Sequence, residues 1–187
     1  GGYADVERSE VQSLIGRQID GLVLSPANSR IDNVSDVAPS GLQVVTYDQP
    51  IYKAQFDSVT IPNRRSANGA TQHLLDHGYK RIVAIGARPS LYTCSERMAG
   101  YHEAMKRAGL ESRDGLVEHE DQVTPEWLSQ VAFKGHNADA ILCMNWVCTM
   151  LTLRGLRQLG KKLGSEVPFL SFDDFDWADM IIPSLTV

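Results

Sequence analysis

Cysteine is scarce and badly spaced for cross-linking. Cys94, Cys143 and Cys148 are an odd count with no C-x-x-C pair, so neither a disulfide framework nor a zinc ribbon is indicated, and a reducing cytoplasm is the simpler home. No apolar run approaches the roughly 18–20 residues that cross a bilayer, and no charged-then-apolar leader opens the chain. Positive charge is not in excess either: 18 Lys and Arg against 23 Asp and Glu leave a net charge of -5. Phosphate binding needs a clustered basic face, so any DNA contact would come from another part of the protein. Also missing are a G-x-S-x-G elbow, a G-x-x-x-x-G-K-S/T phosphate loop and a G-x-G-x-x-G turn after a strand. Hydrolase, kinase and dinucleotide readings therefore lack their usual signals, and the expectation is a non-enzyme without a cofactor.

What is present describes a globular α/β protein. At 187 residues, 43% hydrophobic and 22% charged, the chain suffices for one domain or two small lobes with a substantial core. Gly1-Gly2-Tyr3 runs straight into a helical pattern and Val187 stands inside an apolar, strand-like stretch, which reads as a segment truncated at both ends. Short β-branched runs alternate with helical periodicity, the pattern of parallel strands joined by crossover helices. Strands are expected at 21–25, 44–47, 58–61, 81–86, 116–119, 140–144 and 169–172. Most are continuous apolar runs, as when helices cover both faces of a sheet. Between Ser66 and His77, the residues Ala67, Ala70, Thr71, Leu74 and Leu75 make one buried helical face, and Gly78 supplies the stop. A second helix carries Tyr101, Ala104, Met105 and Ala108 and stops at Gly109. Thr124-Pro125 starts a third, bearing Leu128, Val131 and Ala132. A fourth runs from about Val147 to Leu159, and an opening helix is marked by Val11, Leu14 and Ile15.

Ligands of open α/β sheets sit beyond the carboxyl ends of the strands, and polar residues recur there. Asp48 follows VVTY, Asn145 follows AILCM, Asp173 and Asp174 follow FLSF, and Arg88, Tyr92, Thr93 and Arg97 follow RIVAIG. Carboxylates accept hydroxyl protons, Arg and Asn donate, and a tryptophan face covers the apolar side of a sugar ring. Trp127, Trp146 and Trp177 are the available aromatics. Each residue also has a plainer role open to it. An Asp after a strand serves as the N-cap of the next helix, Trp177 packs between lobes, and Arg97 pairs with Glu103 or another surface carboxylate. His73 and His77 stand at i and i+4, a spacing compatible with a metal, but without a Glu in H-E-x-x-H order they read as a surface pair. Asp173, Asp174, Asp176 and Asp179 could hold Mg2+, yet a sugar clamp plus capping explains them more simply.

Four stretches together resemble the effector-binding core of the LacI/GalR family of bacterial transcription regulators, relatives of the periplasmic sugar-binding proteins. They are IDGLVLSP followed by VVTYDQP, then DSVTIPNRRSANGATQHLLDHGYKRIVAIG, then ERMAGYHEAMKRAGL, and VPFLSFDDFDWADMIIPSLTV. The family forms D-x-V-x-x-D-N, h-L-x-x-x-G-h-x-r-I, R-x-x-G-Y and F-D-D…P-x-L-T-x-V follow in order. Two positions depart: Asn145-Trp146 stands where the family usually has Asn-Asp, and Pro62-Asn63 stands for its D-N.

The resemblance implies a type I periplasmic-binding-protein fold, two Rossmann-like lobes with parallel sheets. Residues 1–62 would form an incomplete N-terminal lobe, with 183–187 returning to it, and residues 63–182 the C-terminal lobe. It places effector contacts on Asp48, Thr93, Arg97, Asn145 and Asp173, with Val123 or Trp127 near a closing aromatic and Trp146 beside Asn145. Asp173 is the single residue most expected to contribute affinity, since a charged hydrogen bond is worth about 1.5–3 kcal/mol. The implied partners are a small, carbohydrate-like effector in the cleft between lobes, operator DNA through a headpiece outside this chain, and a second copy in a homodimer. Neither membrane nor metal is implied. A sugar-binding protein feeding an ABC transporter is the alternative the same fold allows.

Overall fold

Each run read as a strand forms one in the computed structural model, which describes residues 3–187, and every ladder between strands is parallel. Gly1 and Gly2 lie outside the described residues. The chain divides into two units. One runs up to Pro62 and adds Ser90–Thr93; the other comprises Asn63–Pro89 and Cys94–Val187.

The first unit contains α1 (Tyr3–Ile15), β1 (Gly21–Leu24), β2 (Gln43–Tyr47) and β3 (Asp57–Val59), in sheet order β1-β2-β3. Leu22 and Val44 are partners across the β1–β2 ladder and are buried with Val11 of α1 and with Val34 and Ile51 from the connections. Val23 and Val59 stay 70% and 66% exposed. Burial along β1 and β2 therefore alternates, which the continuous apolar runs did not suggest. The cause is geometric: successive side chains point to opposite faces, and the core described here forms on the Leu22 face.

The second unit contains α2 (Asn63–Asp76), β4 (Ile82–Ala87), α3 (Tyr92–Arg107, its first two residues counted with the first unit), β5 (Arg113–Val117), α4 (Pro125–Leu128), β6 (Ala140–Cys143), α5 (Trp146–Gln158) and β7 (Phe169–Ser171). The sheet order is β5-β4-β6-β7. β4 and β6 are buried along their whole length, as their unbroken apolar runs require. β5 begins three residues before the expected Leu116. As an edge strand it tolerates the half-exposed Arg113 and exposed Asp114, so its polar half hides from an apolar pattern. α4 starts under the Thr124 N-cap, whose hydroxyl accepts the Trp127 N–H, and then widens into a π-type stretch over Ser129–Gly135. α2 stops at Gly78, whose φ of +88° needs a residue without a Cβ.

The unit boundaries differ from the sequence expectation at two places. Residues 90–93 group with the first unit, and residues 183–187 with the second. Thr186 bridges to Leu170, and its carbonyl accepts the Ser171 N–H at 2.9 Å. β7 is an edge strand, so its outward backbone groups need partners from such a segment.

The R-x-x-G-Y motif lies on α3. Its Tyr101 is fully buried, and the hydroxyl donates to the Ile82 carbonyl at 2.8 Å while accepting the Arg113 N–H at 2.6 Å. Burial pushes the phenol up to about 12, so it keeps its proton. One side chain thereby ties α3 to β4 and β5. Tyr101→Phe strands the Arg113 N–H and is expected to lower stability by about 1–3 kcal/mol. Denaturant titration would measure this, and an unshifted midpoint would remove the hydroxyl from the stabilising contacts.

Candidate functional site

Desolvating a guanidinium is costly unless it is ringed by acceptors, and this is how Arg97 is held. It projects from α3 and is 5% exposed. Its Nε donates to Asn63 Oδ1 at 2.8 Å and its Nη1 to the Met144 carbonyl. Nη2 lies 3.6 Å from Asp173 Oδ1, and the guanidinium sits 4.0 Å from the centroid of the Phe172 ring. Met144 directly follows β6, Phe172 and Asp173 follow β7, and Asn63 opens α2. One cation thus gathers the carboxyl ends of two neighbouring strands and a helix start. Glu103 meets Arg64 instead, at 3.3 Å, and Arg64 also takes Glu96 at 2.8 Å, while Arg97 faces inward on its helix.

Asp173 keeps 37% of its side chain exposed and so couples the buried cation to solvent. Its φ is +75°, and Asp48, in the first unit, has φ +64°. Asp48 comes one residue after β2 and Asp173 two after β7. Left-handed backbone is uncommon outside glycine and is tolerated by Asp; such conformations gather at functional sites. Neither residue is a helix N-cap, since no helix begins within the next three residues of either. Arg88, directly after β4, has φ +53° and pairs with Glu120 at 3.0 Å.

The remaining expected site residues divide. Asn145 caps α5: its Oδ1 accepts the Cys148 N–H at 2.8 Å. Trp146 begins α5 and is 53% exposed. Val123 is buried in the core of the second unit, and Trp127 packs against that core, its ring 3.3 Å from where a Cβ on Gly115 would lie. Val123 is thus a core position and Trp127 a partly buried one at the edge of that core. Trp177 stacks on Phe175 with centroids 4.7 Å apart. Thr93 lies in the first turn of α3, half-buried.

Three polar residues escaped the sequence reading. Gln49, 6% exposed after Asp48, donates to the Pro26 carbonyl at 3.1 Å, and its Oε1 accepts the Ser29 hydroxyl and the Tyr92 N–H. Glu7, 8% exposed, accepts from the Ala27 N–H and from Asn33 Nδ2. Together they pin the connection after β1. Asn63 was treated as half of a departing D-N pair, yet it is the buried acceptor for Arg97. Only Gln49 had a usable signal, its place directly after a strand-end aspartate. The three cysteines are buried in the second unit. Burial pushes the Cys94 and Cys143 thiols up to about 11 and 12 and raises Cys148 as well, so they behave as protonated core residues.

A family model described as "Periplasmic binding proteins and sugar binding domain of LacI family" matches residues 1–181. Among curated relatives, the HTH-type transcriptional regulator PtxS of Pseudomonas plecoglossicida is 27% identical over 183 residues, 96% of this chain and 53% of that protein. The HTH-type transcriptional regulator CelR of Thermobifida fusca is 25% identical over 178 residues, 92% of this chain and 52% of that protein. Among solved structures, a periplasmic binding protein/LacI transcriptional regulator from Alkaliphilus metalliredigens, complexed with D-xylulofuranose, superposes with a TM-score of 0.82 at 19% identity. That match covers 98% of this chain and 67% of the other. The chain spans about half the length of the curated relatives it matches. No helix among the described residues is long and apolar enough to cross a membrane.

Proposed function

The chain belongs to the family of periplasmic binding proteins and sugar-binding domains of LacI regulators, and we propose that it is the effector-sensing part of a DNA-binding transcription regulator. The effector is a sugar or sugar derivative, held by polar groups at the strand ends without being chemically changed. The observation that carries this reading is the buried Arg97 at the carboxyl ends of β6 and β7, joined to the solvent-accessible Asp173. Such a pair offers a fixed donor set and a carboxylate acceptor, the chemistry that binds hydroxyls. Asp48 and Thr93 of the first unit and Asn145 and Trp146 of the second are the further contacts proposed. The D-xylulofuranose held by the Alkaliphilus fold neighbour and the family's own description support a carbohydrate. The regulator names of the curated relatives favour a promoter over a transporter as the output.

Operator binding belongs, on this proposal, to a headpiece outside this chain, working in a homodimer. A ligand shifts an equilibrium between lobe arrangements only as far as its affinities for them differ. Affinity and switching are therefore separate measurements.

Asp173 supplies the test. Because its backbone is left-handed, Asn is the substitution that removes the charge while tolerating that conformation; Ala would add strain unrelated to the ligand. A panel of sugars and sugar derivatives is screened by thermal shift, since ligand at about 100 times its dissociation constant adds roughly 2.7 kcal/mol. Calorimetry then follows the hit. A hydrogen bond to a charged group is worth about 1.5–3 kcal/mol, so Asp173→Asn is expected to weaken binding roughly tenfold or more. Equal affinity in variant and parent would take Asp173 out of the site.

A further inference from the structure

His73 and His77 read from sequence as a surface pair, and the structure shows how the two rings are set. They stand one turn apart at the end of α2, both exposed, with ring centroids 4.3 Å apart and planes tilted by 44°. His77 Nδ1 lies 2.8 Å from the His73 carbonyl oxygen. When that nitrogen carries the proton and donates it, Nε2 is left with a free lone pair, the tautomer-fixing contact that metal-bound histidines make. Both rings line one concavity of about 270 Å3, together with Tyr79, Leu163, Pro183 and Ser184.

We propose that His73 and His77 form a two-imidazole site for a divalent transition-metal ion of the Zn2+ and Ni2+ class. Imidazole nitrogens suit these ions, and metal–nitrogen bonds of about 2.0–2.1 Å draw two rings sharing an ion into near contact of this kind. The dipole of α2 places partial negative charge at its C-terminal end, which favours a cation there. No group of three or more His, Cys, Asp or Glu among the described residues is arranged to hold an ion, so water completes the coordination. The concavity is open to admit it. A bound ion would clamp the last turn of α2 and is independent of the effector reading.

The test uses the intact protein without a histidine tag, titrated calorimetrically with Ni2+ or Zn2+ alone, while the imidazole ring signals are followed by NMR. One ion per chain is expected, with both rings' signals moving together. His73→Gln and His77→Gln each weaken binding at least tenfold. The double variant is no weaker than the poorer single, and His136→Gln binds as the parent does. Both substituted positions are exposed, so matching circular dichroism spectra are expected to show an unaltered fold. Parent-like binding by either single variant, or loss of binding in His136→Gln, would overturn the proposal.

Discussion

Gly100→Ala is expected to destabilise the second unit by about 3 kcal/mol or more. A Cβ at this position would lie 2.1 Å from the Arg64 carbonyl oxygen and 2.9 Å from both the Arg64 carbonyl carbon and the Asn68 nitrogen. All three are backbone atoms of α2, so no rotamer change relieves the overlap and the helices must separate. Overpacking a core commonly costs about 1–3 kcal/mol; a rigid backbone clash belongs at or beyond the top of that range. Separation would also disturb the ladder between these helices, in which Asn68 Nδ2 donates to the Gly100 carbonyl and Arg64 pairs with Glu96. Gly69→Ala is the control. Gly69 lies on the same helix α2 with open space around its Cβ position, so the higher helix propensity of Ala is expected to leave stability unchanged or raise it by up to about 1 kcal/mol. Denaturant midpoints of both variants decide the matter. If Gly100→Ala matched the parent, the close approach of α2 and α3 would be disproved.

Arg97→Met is expected to cost about 2–5 kcal/mol of stability and, on the proposed function, effector binding with it. Methionine fills much of the space without the charge. The magnitude depends on what is left behind. Asp173 is 37% exposed at its side chain, so water can hydrate its stranded carboxylate at little cost. Asn63 and Met144 are each 1% exposed, so water has little access to replace the hydrogen bonds that the Asn63 side-chain oxygen and the Met144 carbonyl accept from Arg97, at about 1–3 kcal/mol for each. Those two acceptors dominate the loss. Arg97→Lys is expected to recover only part of it, because a single ammonium cannot reproduce a planar fork that reaches Asn63, Met144 and Asp173 at once. A double-mutant cycle with Asn63→Ala isolates the shared term. Additive losses in that cycle would mean that the Arg97–Asn63 bond contributes nothing of its own.

The element order was legible because it is written at short range. Ala67, Thr71 and Leu74 mark the buried face of α2 at helical spacing, and Gly78 ends it; the apolar runs of β4 and β6 are buried at every position. β5 was displaced because Arg113 and Asp114 are affordable only on an edge strand, and edge position is a property of the assembled sheet. The candidate site was legible in part. Asp48, Asn145 and Asp173 were visible as polar residues at strand ends, whereas Val123 and Trp127 look the same in sequence whether they line a ligand or a core.

By itself, then, the sequence determined the alternation of strands and helices, the places where helices stop, and which strand ends carry polar groups. Each of these depends on residues within a few positions of one another. Tertiary structure alone decided that Arg97 faces inward to meet Asn63, 34 residues away, and Met144, 47 away, and that Gly100 exists to admit the backbone of α2. Contacts at such separations depend on how helices settle against a sheet, and the burial that makes them costly to lose has no counterpart in local periodicity.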